Sequence, residues 1–273
     1  MTALTPGTTA LVDHPLADEP LLSLDALADA ADRLTAEEMA LRVGDASRIA
    51  PERRYERFDR PPGEVVRGVA TNPYWIMLGS LASLPEYAAL LRRTAGPFEL
   101  MLRARGERIL AEDLRAFVTG PGISVPVHSD RDHHLLMQIR GSKTVGTGTH
   151  TDARVSQLQI ERGLRPDRQR ADVQPDSCEL HVLRAGQALL MPASTFHWVE
   201  SGDELSIALT CIARTERTAQ EAAVNQFNGW SRRLGFRPAP PGRRPRVDRA
   251  KQRAVATHSR LRRSRTVTRR RPG

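Results

Sequence analysis

The chain has 273 residues, 40% hydrophobic and 27% charged, with a formal net charge of +9 at neutral pH and only two cysteines. That length can bury a sizeable core without covalent staples. Cys178 and Cys211 have no CxxC spacing, which speaks against a disulfide scaffold and for a reduced, cytoplasmic setting. No segment approaches the roughly eighteen apolar residues of a membrane span, and the first twenty residues lack the basic and apolar regions of a secretory leader, so a soluble, unexported protein is expected.

The charge belongs to one end. Residues 243–273 hold thirteen Lys or Arg against Asp248 alone, a net of +12, which leaves −3 on the first 242 residues. The body is mildly acidic, and the basic character that would suggest nucleic acid is confined to a tail.

In chain order, SLDALADAADRL places Leu24, Leu27, Ala31 and Leu34 at helical spacing behind Ser23, a residue suited to capping. Charges and prolines between Arg48 and Gly63 read as an irregular connection. Pro85 suits the first turn of a second helix with Tyr87, Leu90 and Leu91 on one face. Residues 1–96 are therefore expected to form a helical N-terminal region.

From Phe98 the runs FELMLRA, RAFVTG, ISVPVHSD, HHLLMQI, KTVGTG, CELHVL, QALLMP, FHWVE and ELSIALTCIA are short, apolar or alternating, and separated by turn residues. Many short strands without intervening helices predict a sandwich or barrel over 97–213, such as a jelly roll enclosing a ligand cavity. Residues 149–176 are too polar for core strands and read as a surface insertion or lid. Ala219, Ala222, Ala223, Phe227 and Trp230 then recur at near-helical intervals, predicting a C-terminal helix within 214–242. The remaining 243–273 lack a sustained apolar face and are expected to be disordered when unbound.

The chemistry-bearing residues lie within the β region. In VPVHSD, alternation along a strand turns His128 and Asp130 to one face, and His197, opening a later strand, can supply a second imidazole. Two imidazoles and one carboxylate on one side of a metal leave the opposite positions open, as in non-haem Fe(II) oxygenases. Lys143 could pair with an anionic cosubstrate. The alternative cupin pattern, HxH followed four residues later by Glu, is absent: Asp130 and His134 stand at those places, which disfavours Mn or Zn isomerases. Separately, each residue has an ordinary reading, as a core histidine, a turn aspartate or a solvated lysine.

The segment HSDRDHHLLMQIRGSKTV resembles the metal and cosubstrate strands of JmjC and cupin-like Fe(II)/2-oxoglutarate oxygenases, whose pattern runs HxD, an apolar strand, then Q-I-K/R-G-x-K. AGQALLMPASTFHWVE is similar to their later G-D-x-L-x-x-P-x-x-x-x-H-x-V motif, with Gln187 in place of the usual Asp. The whole chain resembles small bacterial cupin-like JmjC proteins, strongly over 117–213, suggestively at the N-terminus and not in the tail.

The resemblance implies a double-stranded β-helix, a mainly β jelly-roll (cupin) core with flanking helices. It implies His128, Asp130 and His197 as iron ligands and Lys143 on the distal carboxylate of 2-oxoglutarate. His134 stands where relatives often have Asn, which makes it a candidate cosubstrate contact. Ser124 lies beside Val125, which occupies a position that in relatives often supplies a hydroxyl or amide to the cosubstrate, and Ser124 is a candidate cosubstrate contact. His133, one step from His134, should face the other way. Trp198 is expected to be a pocket wall or core packing, and His181 a satisfied core histidine.

The implied activity is a dioxygenase that couples oxidative decarboxylation of 2-oxoglutarate, with O2, to hydroxylation of a C–H bond, most readily of a protein or peptide side chain. A small-molecule hydroxylase of the same mechanism is an alternative. So is a non-enzymatic cupin-like regulator binding nucleic acid through the tail, although that tail has no interleaved aromatics. Arg154, Arg162, Arg165, Arg168 and Arg170 in the 149–176 segment suit either an acidic substrate or a solvated loop. The oligomeric state is left open by the sequence.

Overall fold

A computed structural model describes residues 8–44, 49, 55–164 and 171–269, with side chains as far as Leu261 in the last helix. Eleven strands among these residues form two antiparallel sheets. The larger contains β1 (Ala10–Asp13), β9 (Gln187–Met191), β6 (His133–Arg140), β11 (Ser206–Thr215), β4 (Ile109–Thr119), β3 (Tyr74–Leu78) and β2 (Met39–Val43), in that order. The smaller contains β5 (Ser124–Ser129), β10 (Phe196–Ser201), β7 (Ser142–Thr149) and β8 (Ser177–Arg184). Two facing sheets with this interleaved order make the expected jelly roll.

Four helices, α1 (Leu24–Ala31), α2 (Pro62–Arg67), α3 (Pro85–Thr94) and α4 (Gly96–Ala104), pack on the outer face of the larger sheet. Ser23 caps α1 by accepting from the Ala26 amide, and Pro85 stands at the start of α3, both as the sequence suggests. Leu27, Val66, Leu90 and Phe98 meet the outward residues Leu114, Ala116, Val118, Leu209 and Cys211 in one core. Removing such area from water supplies about 2 kcal/mol per large aliphatic side chain. The opposite, inward face of this sheet lines the space between the sheets.

The N-terminal region is less purely helical than expected. MALRV and YWIML become β2 and β3 and extend the larger sheet, with Ile76 facing Leu41 on one side and Val118 on the other. Conversely FELMLRA, expected as a strand, is helix α4: Pro97 opens it, and Phe98 and Leu102 are buried one turn apart. The β run of the core therefore begins at Ile109 rather than Phe98.

Helix α5 (Ala153–Gly163) occupies much of the polar 149–176 segment, begun by Asp152 accepting from the Arg154 amide at 2.7 Å. Its Glu161 pairs with Arg232 of α6 (Glu216–Arg233), and Arg162 pairs with Asp172 at 2.6 Å. Arg165, Arg168 and Arg170 lie outside the described residues.

The tail differs most from expectation. Pro245–Arg269 form a helix, α7, whose Asp248, Lys251 and Val255 are buried where it packs on α6. Two of these three anchors are charged, so hydropathy along the sequence shows no apolar face there. Residues 270–273 lie outside the described part.

Two glycines carry the geometry of the smaller sheet. Gly141, in the turn from β6 to β7, has φ +68°, and a Cβ there would lie 2.4 Å from the Leu205 carbonyl oxygen. Gly146 of β7 pairs with Trp198 of β10, and a Cβ would fall 2.1 Å from the indole carbons. Gly146→Ala should therefore destabilise the fold by about 2 kcal/mol through overpacking, read as a lowered denaturant midpoint; an unchanged midpoint would show that Trp198 moves freely.

Candidate metal centre and anion pocket

The inner faces of the sheets line a cavity; the space among its lining residues, which includes open solvent, is about 800 Å³. His128 lies one residue from the end of β5, His197 stands second in β10 directly opposite it in register, and Asp130 comes immediately after β5. The Nε2 atoms of His128 and His197 lie 3.9 and 3.7 Å from Asp130 Oδ2. One ligand atom from each of the three lies within 4.8 Å of the others, so all can converge on a single ion.

Both rings are oriented by backbone close to them in sequence. His128 Nδ1 is 2.8 Å from the Pro126 carbonyl oxygen, and His197 Nδ1 is 3.0 Å from that of Thr195. Each Nδ1–H donates to the carbonyl two residues earlier, which leaves each Nε2 lone pair directed at the shared space. Burial by itself would raise the Asp130 carboxyl, but the imidazoles of His134, His128 and His197, with Arg115, hold it below the ordinary carboxylate range. Two imidazoles and a carboxylate are a donor set that suits a divalent transition metal.

His134, on β6, reaches the same carboxylate from the opposite sheet, its Nδ1 3.6 Å from Asp130 Oδ2. Burial lowers its basicity, partly offset by Asp130. It lines the cavity, as the sequence suggested for a contact residue.

Lys143, on β7, projects into the same cavity and is only 4% exposed. Burial alone pushes its ammonium down to about 8. Among the described residues no carboxylate lies within ion-pair distance of it. Ser201 pairs with it across β10 and also lines the cavity.

Ser124 is placed differently from its candidate role. His197 pairs with His128 and Val199 with Val125, so β5 carries one extra residue between the two pairs. This bulge turns Val125 toward the cavity, and the Ser124 carbonyl instead accepts from Arg42. A bulge switches which residues share a face, and strict alternation along VPVHSD could not reveal it.

Several lining residues escaped the sequence reading. Leu114, Ala116 and Val118 of β4 face the helices, so Arg115, Phe117 and Thr119 face the cavity. An arginine on the inward phase of a strand was the available signal. Thr210 of β11, paired with Arg115 of β4, lines the cavity and has a buried hydroxyl without a hydrogen-bond partner among the described residues. Tyr55, about half exposed, stacks on Trp75 with ring centroids 6.2 Å apart, and both rings line the cavity.

The remaining histidines and Trp198 do other work. His133 turns away from the cavity, accepting from the Ala193 amide and facing Glu107; burial brings it down to about 4. Glu107 also binds Thr215 and Arg217, joining the α4–β4 turn to α6. Trp198 packs with Val127, Ala171 and Phe196 on the outside of the smaller sheet rather than walling the cavity. His181 lies within hydrogen-bond distance of the Thr9 and Thr147 hydroxyls.

The fold and site are those of a double-stranded β-helix with a His–Asp–His cluster inside its mouth. A solved structure of YcfD, a ribosomal oxygenase from Escherichia coli, in complex with cobalt and 2-oxoglutarate is similar to this chain. The TM-score is 0.50 at 17% identity, over 92% of this chain and 63% of that one. An X-ray structure of E. coli YcfD gives the same TM-score, identity and coverage. This chain thus spans 63% of the length of the oxygenase it matches. No protein-family model and no curated protein matches the sequence. No helix among the described residues is long and apolar enough to cross a membrane.

Proposed function

We propose that the cavity is the active site of an Fe(II)- and 2-oxoglutarate-dependent oxygenase that hydroxylates a C–H bond, most readily of a protein or peptide side chain. The observation that carries this reading is the pairing, in one cavity, of a His–Asp–His cluster with Lys143, a buried ammonium that has no carboxylate among the described residues to neutralise it. A buried unpaired charge is costly. A dicarboxylate bridging ligand cluster and lysine would relieve that cost.

In this reading His128, Asp130 and His197 hold the ion on one side. Iron with 2-oxoglutarate and O2 would supply the oxidising power, coupling decarboxylation to succinate and CO2 with delivery of one oxygen atom to the substrate. Lys143 anchors the distal carboxylate with a charge-assisted hydrogen bond, and Ser201 and Thr210 offer hydroxyls along the walls. Arg115 and His134 flank Asp130 from the larger sheet and hold its charge. Leu136, Met191, Phe117 and Val199 keep water from the reacting carbon. Tyr55 and Trp75 present aromatic surface to an arriving side chain.

Anaerobic titration with Fe(II) and then 2-oxoglutarate should produce a weak visible absorption band, and aerobic incubation with a peptide library should release succinate in step with a gain of one oxygen in mass. A folded protein giving neither band nor succinate would overturn the assignment. Succinate coupled only to metabolite substrates would move the substrate class to small molecules.

A further inference from the structure

Helix α7 carries more positive charge than its packing uses. Its inner face is a polar joint: Lys251 Nζ lies 3.6 Å from Asp248 Oδ1 and donates to the Ala239 carbonyl at 3.0 Å, while the Gly242 amide donates to Asp248 Oδ2 at 2.9 Å. The Trp230 ring of α6 meets His258 edge-on with centroids 4.8 Å apart. Asp248, the one carboxylate in residues 243–273, is thus enclosed in the joint.

On the far side Arg246, Arg249, Arg253 and Arg260 are all exposed. At about 100° per residue these four fall within an arc of roughly 60°, and they span about 21 Å of helix axis. Arg246, Arg249 and Arg253 have no ion pair among the described residues. Like charges one turn apart repel, so a stripe of this kind gains most from a ligand that carries evenly repeated negative charge.

A nucleic-acid strand in a duplex presents one phosphate per about 3.4 Å of axis, which sets about six phosphates against the length of the stripe. Between Arg253 and Arg260 the stripe contains Ala256 and Thr257 and no aromatic ring that could stack on an unpaired base. We infer that the outer face of α7 is a docking surface for the phosphate backbone of a nucleic-acid duplex, engaged without reading base identity. The folded helix fixes the charges in line, so the duplex does not have to order a flexible tail on binding. This inference is independent of the chemistry in the cavity.

The test uses the full-length protein, fluorescent 20-bp RNA and DNA duplexes, a 20-nucleotide single strand and phosphatidylserine vesicles, with binding measured over a range of salt concentrations. R246Q/R249Q/R253Q/R260Q should weaken duplex binding at least tenfold at about 100 mM salt and reduce the slope of log K against log salt by about 3. The control R92Q/R93Q/R103Q/R108Q, which removes the same charge elsewhere, should change neither by more than about twofold. Glutamine is close to arginine in helix propensity, and circular dichroism checks that α7 persists. The paired variants R246Q/R249Q and R253Q/R260Q, each expected to take about half the slope change, provide a second reading should the fourfold variant unfold. Binding of either duplex with this dependence supports the inference. No duplex binding by the unmodified chain, equal losses in the control, or tighter binding to vesicles or to the single strand would overturn it.

Discussion

Asp130→Ala should abolish metal-dependent turnover, lowering succinate release by at least about 10³-fold, and should remove tight Fe(II) or Co(II) binding in a calorimetric titration. Asp130 contributes the one carboxylate of the ligand set, and the two imidazole Nε2 atoms are arranged around its Oδ2 at 3.7–3.9 Å. Without it the cavity holds Lys143, Arg115 and three histidines, and a dication entering that field meets no compensating charge. The fold should survive, because the structural bond at this position is made by the backbone: the Ser194 amide donates to the Asp130 carbonyl at 2.7 Å. His128→Ala should behave similarly. Full turnover in either variant would sink the ligand assignment, whereas loss of turnover with unchanged metal affinity would move the role from coordination to proton handling.

Lys143→Met should pull binding and stability in opposite directions. Affinity for 2-oxoglutarate should fall about 100-fold, the scale of a desolvated charge-assisted contact of about 3 kcal/mol, while the metal still binds. The ligand-free protein should become more stable, since burial, with no carboxylate partner among the described residues, has lowered the ammonium from its ordinary value near 10.5 to about 8. That displacement corresponds to a penalty on the order of 3 kcal/mol, present in full below pH 8. Between about pH 8 and pH 10.5 the unfolded chain binds the extra proton, so native stability should rise with pH across that window, and the rise should vanish in Lys143→Met. Denaturant unfolding of wild type and variant at pH 7 and pH 10 tests this; a methionine variant less stable at pH 7 would mean that Lys143 has a structural partner.

That His128, Asp130 and His197 come together was legible in the sequence because the strands that carry them follow local rules. HSD ends an alternating strand, His197 opens another, and the jelly roll brings two distant strands into register. Lys143 was legible from its place after the tight RGS turn, where Gly141 takes a positive φ that most residues resist. What escaped detection depended on neighbours that sequence does not display. Arg115 became a pocket residue only once the helices were seen to claim Leu114, Ala116 and Val118. Val125 replaced Ser124 because of a single bulged residue. FELMLRA satisfied strand and helix patterns equally until Phe98 and Leu102 were seen buried on one helical face. The tail misled for a different reason: its joint with α6 is made largely of charged and polar groups, which hydropathy counts as solvent-loving.

The carbonyls that orient His128 and His197 belong to Pro126, on the same strand, and Thr195, just before β10, each two residues upstream. Each imidazole is thus aimed from within a tripeptide, and the pairing of β5 with β10 brings the two aims together. The two rings keep a common bearing as long as β5 and β10 stay paired, so a substitution that breaks this pairing would scatter them even with both histidines in place.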